Sequence, residues 1–486
     1  MISDELKYQI HAAFGEHRPT AEQEAAIDLF TRFMTDRSDR TTMLLRGSAG
    51  TGKTTLAAAI VKALLQLKQK LVLMAPTGRA AKVFSLYADT QAYTIHRRIY
   101  RQKAAGDLST FNLNANLHRD TLFIIDEASM IAHGRQNDSF GTGDLLDDLV
   151  SYVYGGDGCR MLLIGDTAQL PPVGETEAPA LQADVLRGYG LGVYETDLDE
   201  VVRQSRESGI LWNATRIRTA YSREGLPDAA GGGRTVSLPA IRCFADVQVV
   251  PGDELIEQLA SSYSRVGMDE TMVVTRSNKR ANIYNQGIRN TVLDREEELC
   301  RGDQLMIVKN HYGLTPGRKE QGEAAEAPAF LANCDRCVVQ RVRRVEEMYG
   351  FRFAEVTLLF PDYDDLELTT KVMLDTLTSE APALPREQHE RLYEQVMADY
   401  ADVALKADRL KLLRQDAYYN ALQVKYGYAV TCHKAQGGQW AHVYIDQGYM
   451  TDDMLGSDYL HWLYTAFTRA TEKVFLVNWP PAQTEK

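Results

Sequence analysis

The sequence predicts a multidomain α/β protein in which buried parallel strands end in polar loops. A chain of 486 residues is too long for a single hydrophobic core, and ordinary domain sizes suggest roughly three units. Short apolar runs at residues 122–125 and 161–164 have the length and composition of buried parallel strands. A further run, residues 42–45, leads directly into a glycine-rich loop and a helix-like stretch. These observations predict the α/β class with parallel sheets.

The glycine-rich loop, residues 47–54, has the sequence Gly-Ser-Ala-Gly-Thr-Gly-Lys-Thr. Its glycines let the turn wrap closely, so that backbone N–H groups face phosphate oxygens. Lys53 adds a positive charge near the β- and γ-phosphates, and the Thr54 hydroxyl is a ligand for Mg²⁺. The loop therefore predicts binding of ATP or GTP with Mg²⁺ through Gly47, Ala49, Gly50, Thr51, Gly52, Lys53, Thr54 and Thr55.

Two carboxylates, Asp126 and Glu127, directly follow the predicted strand at residues 122–125. In open α/β sheets ligands bind at the carboxyl ends of the strands. There Asp126 would hold the metal ion through water, while Glu127 would accept a proton from the attacking water. An acidic pair at a strand end is often only a helix cap. Beside a phosphate loop the pair instead predicts nucleotide hydrolysis.

A polar amide, Gln169, lies just after the predicted strand at residues 161–164. Such a group can orient water and sense the γ-phosphate. The rigid turn Pro171-Pro172 would transmit its position to a neighbouring surface. The alternative is a plain turn with a capping aspartate.

A fourth predicted strand, residues 70–74, leads into Pro76 and Thr77 at the start of a helix. The Thr77 hydroxyl and the N–H groups of the helix start suit the phosphate backbone of a nucleic acid. This segment is therefore a candidate nucleic-acid contact.

Composition and charge exclude few classes of function. No apolar run is long enough to cross a bilayer, and residues 1–7 lack the pattern of a secretion signal, so we expect a cytoplasmic protein without a membrane partner. The net charge of −12 does not exclude nucleic acid, because a binding channel needs only local positive charge. Of six cysteines, only Cys334 and Cys337 have CxxC spacing, which without a second pair favours reduced thiols over a metal site.

Several of these segments occur in the order found in superfamily 1 helicases, which the chain resembles. They are the loop at 47–54, then residues 75–82, 126–129, 165–174, 202–204, 431–437 and 464–470. The likeness is greatest to the RecD-like and Dda-like DNA helicases of the 5′-to-3′ branch. It extends from about Thr20 to about Val477, although residues 311–420 contribute little to it.

The resemblance implies two RecA-like P-loop NTPase domains with ATP held between them. It implies a catalytic set of Lys53, Asp126, Glu127, Gln169, Arg203 and Arg469, in which the two arginines neutralise charge on the γ-phosphoryl group. It also implies that Gln23, Arg276 and Gly437 contact the nucleotide, with Gln23 reading the adenine edge. For Gln23, a capping box with Thr20 remains an alternative.

The same resemblance implies that both domains contact a single strand of DNA. Most contacts would be to phosphate and sugar, so that sequence preference would be slight. A lone histidine such as His96 is otherwise more often structural, and Cys432 is expected to be buried. The implied DNA contacts are Pro76, Thr77, Thr94, His96, Thr431, His433 and Lys434.

Predicted domain boundaries follow from the positions of these segments. Motor domain 1 is expected at residues 1–225, with a basic hairpin insertion at about 97–120 that either wedges into duplex or is a plain solvated hairpin. Motor domain 2 is expected at 238–310 and 421–486, after a flexible connection at the triple glycine 231–233. Residues 311–420 would form an SH3-like β-barrel and a charged helical segment bracing it, whose apolar face is formed by Leu392, Val396, Leu405, Leu410 and Leu413.

The sequence thus predicts an ATP- and Mg²⁺-dependent DNA helicase that acts as a monomer. It would move along single-stranded DNA and separate duplex at junctions of single-stranded and double-stranded DNA, with the 5′-to-3′ direction implied only by the resemblance. An RNA or RNA–DNA helicase is one alternative, because contacts to the 2′-hydroxyl are not recognisable in these motifs. A nucleotide-gated remodelling protein without processive unwinding is the other.

Overall fold

The computed structural model describes residues 2–15, 17–102, 111–134, 141–202, 208–224, 239–312, 330–363, 365–451 and 454–485. The helices are α1 Ile2–Ala13, α2 Ala21–Thr35, α3 Lys53–Gln66, α4 Gly78–Ala88, α5 Ile95–Ile99, α6 Leu145–Tyr154, α7 Ala183–Gly188, α8 Gly209–Glu224, α9 Leu255–Arg265, α10 Asn278–Gly287, α11 Arg386–Asp399, α12 Lys406–Leu413, α13 Cys432–Ala435 and α14 Ser457–Phe467. Within these ranges, no helix combines the length and apolar character needed to span a bilayer.

The strands alternate with these helices along most of the chain. They are β1 Thr41–Gly47, β2 Lys70–Ala75, β3 Ala92–Thr94, β4 Tyr100–Gln102, β5 Phe111–Leu113, β6 Thr121–Ile125, β7 Arg160–Gly165, β8 Gly192–Leu198, β9 Ile241–Arg242, β10 Val247–Val250, β11 Thr271–Thr275, β12 Gln304–Ile307, β13 His311–Tyr312, β14 Phe330–Leu331, β15 Arg336–Met348, β16 Phe351–Phe360, β17 Leu366–Met373, β18 Leu422–Tyr426, β19 Ala429–Thr431, β20 Trp440–Asp446, β21 Ala470–Val477 and β22 Thr484–Glu485.

The first lobe is a parallel sheet with the strand order β3-β2-β6-β7-β1-β8, covered by helices on both faces. Successive side chains of a strand point to opposite faces. Accordingly, Leu122 and Ile124 of β6 pack with α1–α4, whereas Phe123 and Ile125 pack with α5–α7. Because β6, β7 and β1 are neighbours, the polar loops that follow them meet at one edge of the sheet.

The second lobe is a parallel sheet with the order β10-β21-β20-β11-β19. Helix α8 packs against this lobe, because Ile210, Ala214 and Ile217 lie in the same apolar cluster as β20 and β21. The cluster also contains Ala168 and Leu170 of the first lobe, so α8 lies where the two lobes meet. The predicted end of motor domain 1 at residue 225 assigns α8 to the first lobe, and this boundary stays a prediction.

A closed barrel with the strand order β12-β15-β16-β17-β18 follows the first part of the second lobe. This confirms the predicted barrel, while a specific likeness to SH3 domains stays a prediction. Strands β12 and β18 come from the ranges 238–310 and 421–486, which the sequence analysis assigned to the motor domain. Both are buried along their whole length, so their apolar character resembles that of the motor strands.

The charged helical segment consists of α11 and α12, which pack against one end of the barrel. Leu392, Val396 and Leu413 are buried in a cluster with Phe351 and Phe353 of β16, and Leu410 is partly buried against it. The expected apolar face is wrong at Leu405, which is 65% exposed. This residue precedes the first turn of α12 as its N-cap and so does not lie on the helix face.

Three predicted features lie partly or wholly outside the described residues. The hairpin insertion is represented by β4 and β5, which pair in antiparallel fashion, but its residues 103–110 are outside the description. The triple glycine at 231–233 is wholly outside it, and so are residues 313–329 of the segment predicted to form the barrel.

Asp303 forms a buried ionic centre that joins the barrel to the second lobe. Its carboxylate accepts hydrogen bonds from Arg289 (3.1 Å from both Nε and Nη2), Arg295 (2.7 Å) and the Tyr428 hydroxyl (2.8 Å). The Arg289 side chain is 2% exposed and that of Asp303 is fully buried. Arg289 follows α10 of the second lobe, while Asp303 directly precedes β12 of the barrel. The angle between the two units therefore depends on this carboxylate.

We predict that Asp303→Ala lowers the free energy of unfolding by about 3–5 kcal/mol, because it leaves two guanidinium groups buried without their carboxylate. Thermal or urea unfolding would measure this loss. Glu380→Gln is the control, because Glu380 and Lys279 form a pair 3.9 Å apart with both side chains more than 65% exposed, and such pairs contribute about 0–1 kcal/mol. Equal destabilisation by the two variants would contradict the role assigned to Asp303.

Candidate functional site

The glycine-rich loop joins β1 to α3 in the conformation that the sequence predicts. Gly50 and Gly52 both have φ +79°, a left-handed value that side chains with a β-carbon disfavour. Lys53 Nζ donates hydrogen bonds to the carbonyls of Gly47 (2.5 Å) and Ser48 (2.8 Å). The ammonium group is therefore held inside the loop, where phosphate oxygens would be bound.

Gln23 is buried beneath this loop at 3% exposure. It forms the predicted capping box, since Gln23 Oε1 accepts from Thr20 N (2.9 Å) and Thr20 Oγ1 accepts from Gln23 N (3.3 Å). Its Nε2 also donates to the Thr51 carbonyl at 3.1 Å, and a β-carbon built on Gly52 would lie 2.4 Å from this atom. Gln23 thus braces the loop, and its contact with adenine stays a prediction.

The acidic pair follows β6 at the same edge of the sheet. Glu127 has φ +52°, an uncommon value for a residue with a side chain and typical of a functional position. Asp126 accepts hydrogen bonds from Glu127 N (2.9 Å) and from the Tyr87 hydroxyl. Burial raises the pKa of both carboxyls, while the Tyr87 hydrogen bond opposes the shift at Asp126 and Arg469 opposes it at Glu127. A raised pKa suits a proton acceptor.

A cleft of about 860 Å³ lies between the two lobes, and both contribute to its walls. This volume falls within the range of small-molecule sites. The first lobe contributes the phosphate loop, the acidic pair and Gln169, and the second lobe contributes Gly437 and Arg469. Arg469 therefore faces the acidic pair across the cleft, and its charge acts directly on the pKa of Glu127.

Gln169 and Arg469 are both buried in this cleft, at 7% and 3% exposure. Gln169 Oε1 has no hydrogen-bond partner among the described residues. The Arg469 guanidinium donates to the carbonyls of Thr465 (3.1 Å) and Gly438 (3.2 Å). Buried polar atoms are normally paired, so the open amide of Gln169 is consistent with a polar ligand in the cleft.

The loop that contains Gln169 is hydrogen-bonded to the second lobe along its length. The Tyr464 hydroxyl donates to Asp166 Oδ2 (2.6 Å) and accepts from Ala49 N (2.8 Å). Gln436 Nε2 donates to the Leu170 carbonyl at 2.6 Å, and Leu170 N donates to Thr465 Oγ1 at 2.8 Å. The sequence reasoning missed these partners. The available signal was a polar stripe at positions 461, 464 and 465 of an otherwise apolar helix.

The candidate nucleic-acid contacts of the two lobes meet beside the cleft. Thr77 is the N-cap of α4, where its Oγ1 accepts from Ala80 N at 3.2 Å. A β-carbon built on Gly437 of the second lobe would lie 3.1 Å from this oxygen. Lys434 belongs to the same short segment as Gly437, with His433 exposed beside it. The structure therefore brings Pro76 and Thr77 together with the segment 431–437.

Thr94 and His96 are less accessible than the sequence reasoning expects. Thr94 is 5% exposed and caps α5 by accepting from Arg97 N at 3.2 Å. Burial lowers the pKa of His96 to about 4, so that its ring is neutral near pH 7. Direct contact of either side chain with a nucleic acid stays a prediction.

Arg276 does not line the cleft. The Arg276 guanidinium lies over the rings of Tyr459 (5.6 Å) and Trp462 (5.9 Å) on α14, and its side chain is not part of the cleft wall. Cation–π packing thus holds Arg276 against α14, and its contact with the nucleotide stays a prediction. Arg203 lies outside the described residues. Cys432 is buried as expected, with its thiol 3.5 Å from the Trp462 carbonyl.

Two family models match parts of this chain. Residues 19–238 match a family model described as an AAA domain, and residues 426–477 match one described as a UvrD-like helicase C-terminal domain. The ATP-dependent DNA helicase dda of Enterobacteria phage T4 is 24% identical over 302 residues, which cover 59% of this chain and 60% of that protein. The chain belongs to the superfamily 1 helicases.

Other similar proteins cover very different shares of this superfamily 1 helicase. The ATP-dependent RecD2 DNA helicase of Deinococcus radiodurans is 32% identical over 131 residues, only 27% of this chain and 16% of that protein. An uncharacterized protein of Acanthamoeba polyphaga mimivirus is 21% identical over 88% of this chain and 94% of its own length. A crystal structure of Pif1 helicase from Bacteroides in complex with ADP-AlF3 and ssDNA aligns at 14% identity and a TM-score of 0.46, covering 97% of this chain and 95% of that one.

We predict that Tyr464→Phe slows ATP turnover by this helicase about tenfold to a hundredfold. The variant leaves the Asp166 carboxylate, 2% exposed, without the hydroxyl that links it to the phosphate loop, and a hydrogen bond to a charged group contributes about 1.5–3 kcal/mol. Steady-state ATP hydrolysis is the measurement. Tyr449→Phe is the control, because that ring is 85% exposed. Equal rates for the two variants would show that the bridge has no role in turnover.

Proposed function

We propose that this helicase couples ATP hydrolysis between its lobes to 5′-to-3′ movement along single-stranded DNA, and that this movement separates duplex. The proposal depends on one observation: Lys53, Glu127 and Arg469 line one cleft although they come from both lobes. An enzyme that hydrolyses ATP at such an interface closes and opens it in each cycle. The family membership makes the chain an ATP-driven helicase, while direction and unwinding belong to the proposal.

The residues of the cleft suit a triphosphate with its metal ion. Lys53 and the loop N–H groups would bind the β- and γ-phosphates. Among the described residues, no group of three or more His, Cys, Asp or Glu side chains could hold a metal by itself. Mg²⁺ is commonly bound by one or two protein oxygens together with substrate phosphates, and Thr54 and Asp126 line the cleft with such oxygens. Bound there, Mg²⁺ would neutralise phosphate charge.

Three side chains around the γ-phosphate position have distinct proposed roles. Glu127 accepts the proton of the attacking water, which its raised pKa favours. Gln169 orients that water through its open amide oxygen. Arg469 stabilises the charge that develops on the transferred group, and it does so only when the second lobe is close. Hydrolysis therefore requires closure of the lobes.

Movement of the lobes would move the nucleic acid, because each lobe contributes residues that would bind its phosphate backbone. Thr77 and the start of α4 belong to the first lobe, and Lys434 belongs to the second. When the cleft opens and closes, the distance between these phosphate contacts changes, so that one lobe can advance while the other holds the strand. Contacts to the backbone suit movement along any sequence.

Two alternative functions predicted from the sequence differ from this proposal in the nucleic acid used or in the outcome of hydrolysis. A 2′-hydroxyl contact would extend the substrate to RNA or RNA–DNA duplexes. Hydrolysis that only resets binding would make the protein a remodelling factor. The monomeric state and the cytoplasmic location likewise stay predictions.

We predict that Lys53→Ala abolishes ATP turnover stimulated by single-stranded DNA, because it removes the charge that binds the β- and γ-phosphates. Release of inorganic phosphate, with and without oligothymidylate, is the measurement. Lys62→Ala is a matched control, because Lys62 is exposed on the same helix. Full DNA-stimulated turnover in Lys53→Ala would contradict the assigned site.

We predict that the wild-type protein unwinds a duplex with a 5′ single-stranded overhang and leaves one with only a 3′ overhang intact. Separation of a labelled strand with ATP and Mg²⁺ measures this, and Lys53→Ala on the same duplexes is the control. Unwinding from the 3′ overhang alone would reverse the proposed direction. Intact ATPase activity with no unwinding of either substrate would favour the remodelling alternative, and RNA overhangs of equal length would test the choice of nucleic acid.

A further inference from the structure

A turn of the barrel, residues 332–335, reaches between the two lobes beside the candidate nucleic-acid contacts. We call it the barrel turn. Ala332 is 5% exposed and packs in the apolar cluster of the first lobe, whereas Cys334 packs against the cluster of the second lobe. Cys334 also has φ +75°, a left-handed conformation that is costly for a residue with a side chain. The turn is therefore fitted closely to both lobes.

Asp335, the last residue of the barrel turn, places its carboxylate over the start of α4. Its Oδ2 accepts hydrogen bonds from Ala332 N (2.7 Å) and the Tyr363 hydroxyl (2.5 Å). Its Oδ1 makes no hydrogen bond of good geometry among the described residues although the side chain is only 2% exposed, while the backbone N–H of Gly78 lies close enough to lower the pKa of the carboxyl. A β-carbon built on Gly78, the first residue of α4, would lie 2.8 Å from Oδ1. Only glycine leaves room for this approach.

The start of α4 is a position that attracts anions. The first N–H groups of a helix lack intrahelical partners and carry a partial positive charge, and the Thr77 hydroxyl satisfies only the N–H of Ala80. A phosphate of a nucleic acid would be bound in this position. Asp335 thus presents an anionic group where the proposed function requires a phosphate.

A second acidic contact holds the barrel on the same helix. The Asp362 side chain is 4% exposed and lies 3.5 Å from Lys82 Nζ and 4.0 Å from Arg79 Nη1. Lys82 Nζ also donates to the Pro361 carbonyl at 2.7 Å. The barrel therefore approaches the first turns of α4 with two carboxylates, Asp335 and Asp362, and meets two basic side chains.

The barrel turn also lies over the phosphate contact proposed for the second lobe. Lys434 Nζ is buried and has no hydrogen-bond partner within the described part of the chain. Its charge faces Cys334, where it opposes the effect of burial, which raises the pKa of the thiol. One turn of the barrel therefore covers Thr77 and the start of α4 on one side and Lys434 on the other.

We propose that the barrel turn is an electrostatic latch: Asp335 occupies the place of a nucleic-acid phosphate at the start of α4, and an incoming strand must displace the turn to reach Thr77 and Lys434. This inference rests on the proposed function, because it requires a strand at these contacts. Displacement returns Asp335 to water and gives the start of α4 and Lys434 a phosphate each. Loading of a strand is thereby coupled to movement of the barrel away from the first lobe.

In the latched state the Asp335 carboxylate is out of contact with water, and its hydrogen bonds replace that hydration only in part. Burial raises the pKa of the Asp335 carboxyl to about 7, while the Tyr363 hydrogen bond opposes this shift. A buried carboxylate whose hydrogen bonds are incomplete is less stable than the same group in water. The return of Asp335 to water therefore offsets part of the cost of displacing the turn.

Asp335→Asn tests the latch while it conserves the shape of the side chain. The amide oxygen can still accept from Ala332 N, but the charge that competes with phosphate is gone. We expect the variant to bind fluorescein-labelled oligothymidylate about tenfold more tightly than wild type, since the neutral amide no longer competes with phosphate for the partial positive charge of the helix start. Fluorescence anisotropy without nucleotide measures this, and Asp362→Asn should give a smaller change in the same direction.

Glu367→Gln is the matched control, because Glu367 is exposed on β17 of the same barrel and its removal changes the net charge equally. Hydrogen exchange of the wild-type protein gives a second measurement. On addition of oligothymidylate, amides of residues 331–336 should exchange faster and those at the start of α4 more slowly.

The outcomes separate the latch from the proposed function. If Asp335→Asn binds within about twofold of Glu367→Gln and exchange at 331–336 does not rise, the latch is overturned, while DNA-stimulated ATP turnover of the wild type would leave the proposed function intact. A wild-type protein that does not bind the oligonucleotide would overturn both. If Asp335→Asn misfolds, the affinity of Asp362→Asn for the oligonucleotide and the hydrogen-exchange experiment test the latch instead.

Discussion

The contact between residues 166–170 of the first lobe and α14 of the second is the constraint on which the functional site depends. Its central atom is the Tyr464 hydroxyl, which bridges the Asp166 carboxylate and the backbone N–H of Ala49 in the phosphate loop. Burial and the neighbouring Asp166 raise the pKa of Tyr464, so the hydroxyl remains a donor. In a water-poor environment each such bond is strengthened and costly to leave unmade. The lobes therefore cannot separate at this contact without breaking these hydrogen bonds.

This constraint explains why the cleft is assembled from distant parts of the chain. Arg469 directly follows the last turn of α14, so the hydrogen bonds that dock α14 also set the position of its guanidinium. The same docking buries Ala168 and Leu170 in the apolar cluster of the second lobe. Gln169, between them, is thereby turned toward the cleft. One interface thus positions two of the groups that would act on a γ-phosphate.

The parts of the site that could be predicted are those encoded by local sequence. The phosphate loop needs a strand, glycines and a helix in one short segment, and the acidic pair needs only the end of a buried strand. Tyr464 and Tyr87 could not be found in this way, because each acts on a residue far away in sequence. Arg276 is a different case: its motif suggests a nucleotide contact, which stays a prediction, whereas its packing on Tyr459 and Trp462 could not be read from the motif.

The fold, like the site, was predictable where local sequence determines the structure. The buried strands of both sheets and the long strands of the barrel have hydrophobic patterns that identify them as strands. The unit against which α8, β12 and β18 pack is instead decided by tertiary contacts. Apolar residues at helical spacing show that α8 buries one face without showing against which lobe. Strands buried on both sides look alike whether they belong to an open parallel sheet or to a closed barrel.

Helix α4 contacts the barrel, the candidate nucleic-acid site and the acidic pair, which lie far apart in the sequence. Its first residue faces Asp335 of the barrel, its N-cap Thr77 contacts the segment of Gly437, and Tyr87 near its end donates to Asp126 beside the phosphate loop. At about 1.5 Å per residue, a helix of this length transmits a displacement of one end to the other over roughly three turns. A strand bound at the start of α4, as we propose, would therefore act on the carboxylate proposed to hold the metal ion. Because the barrel contacts the same end of the helix, the proposed loading site and the proposed hydrolytic site share a single rigid element.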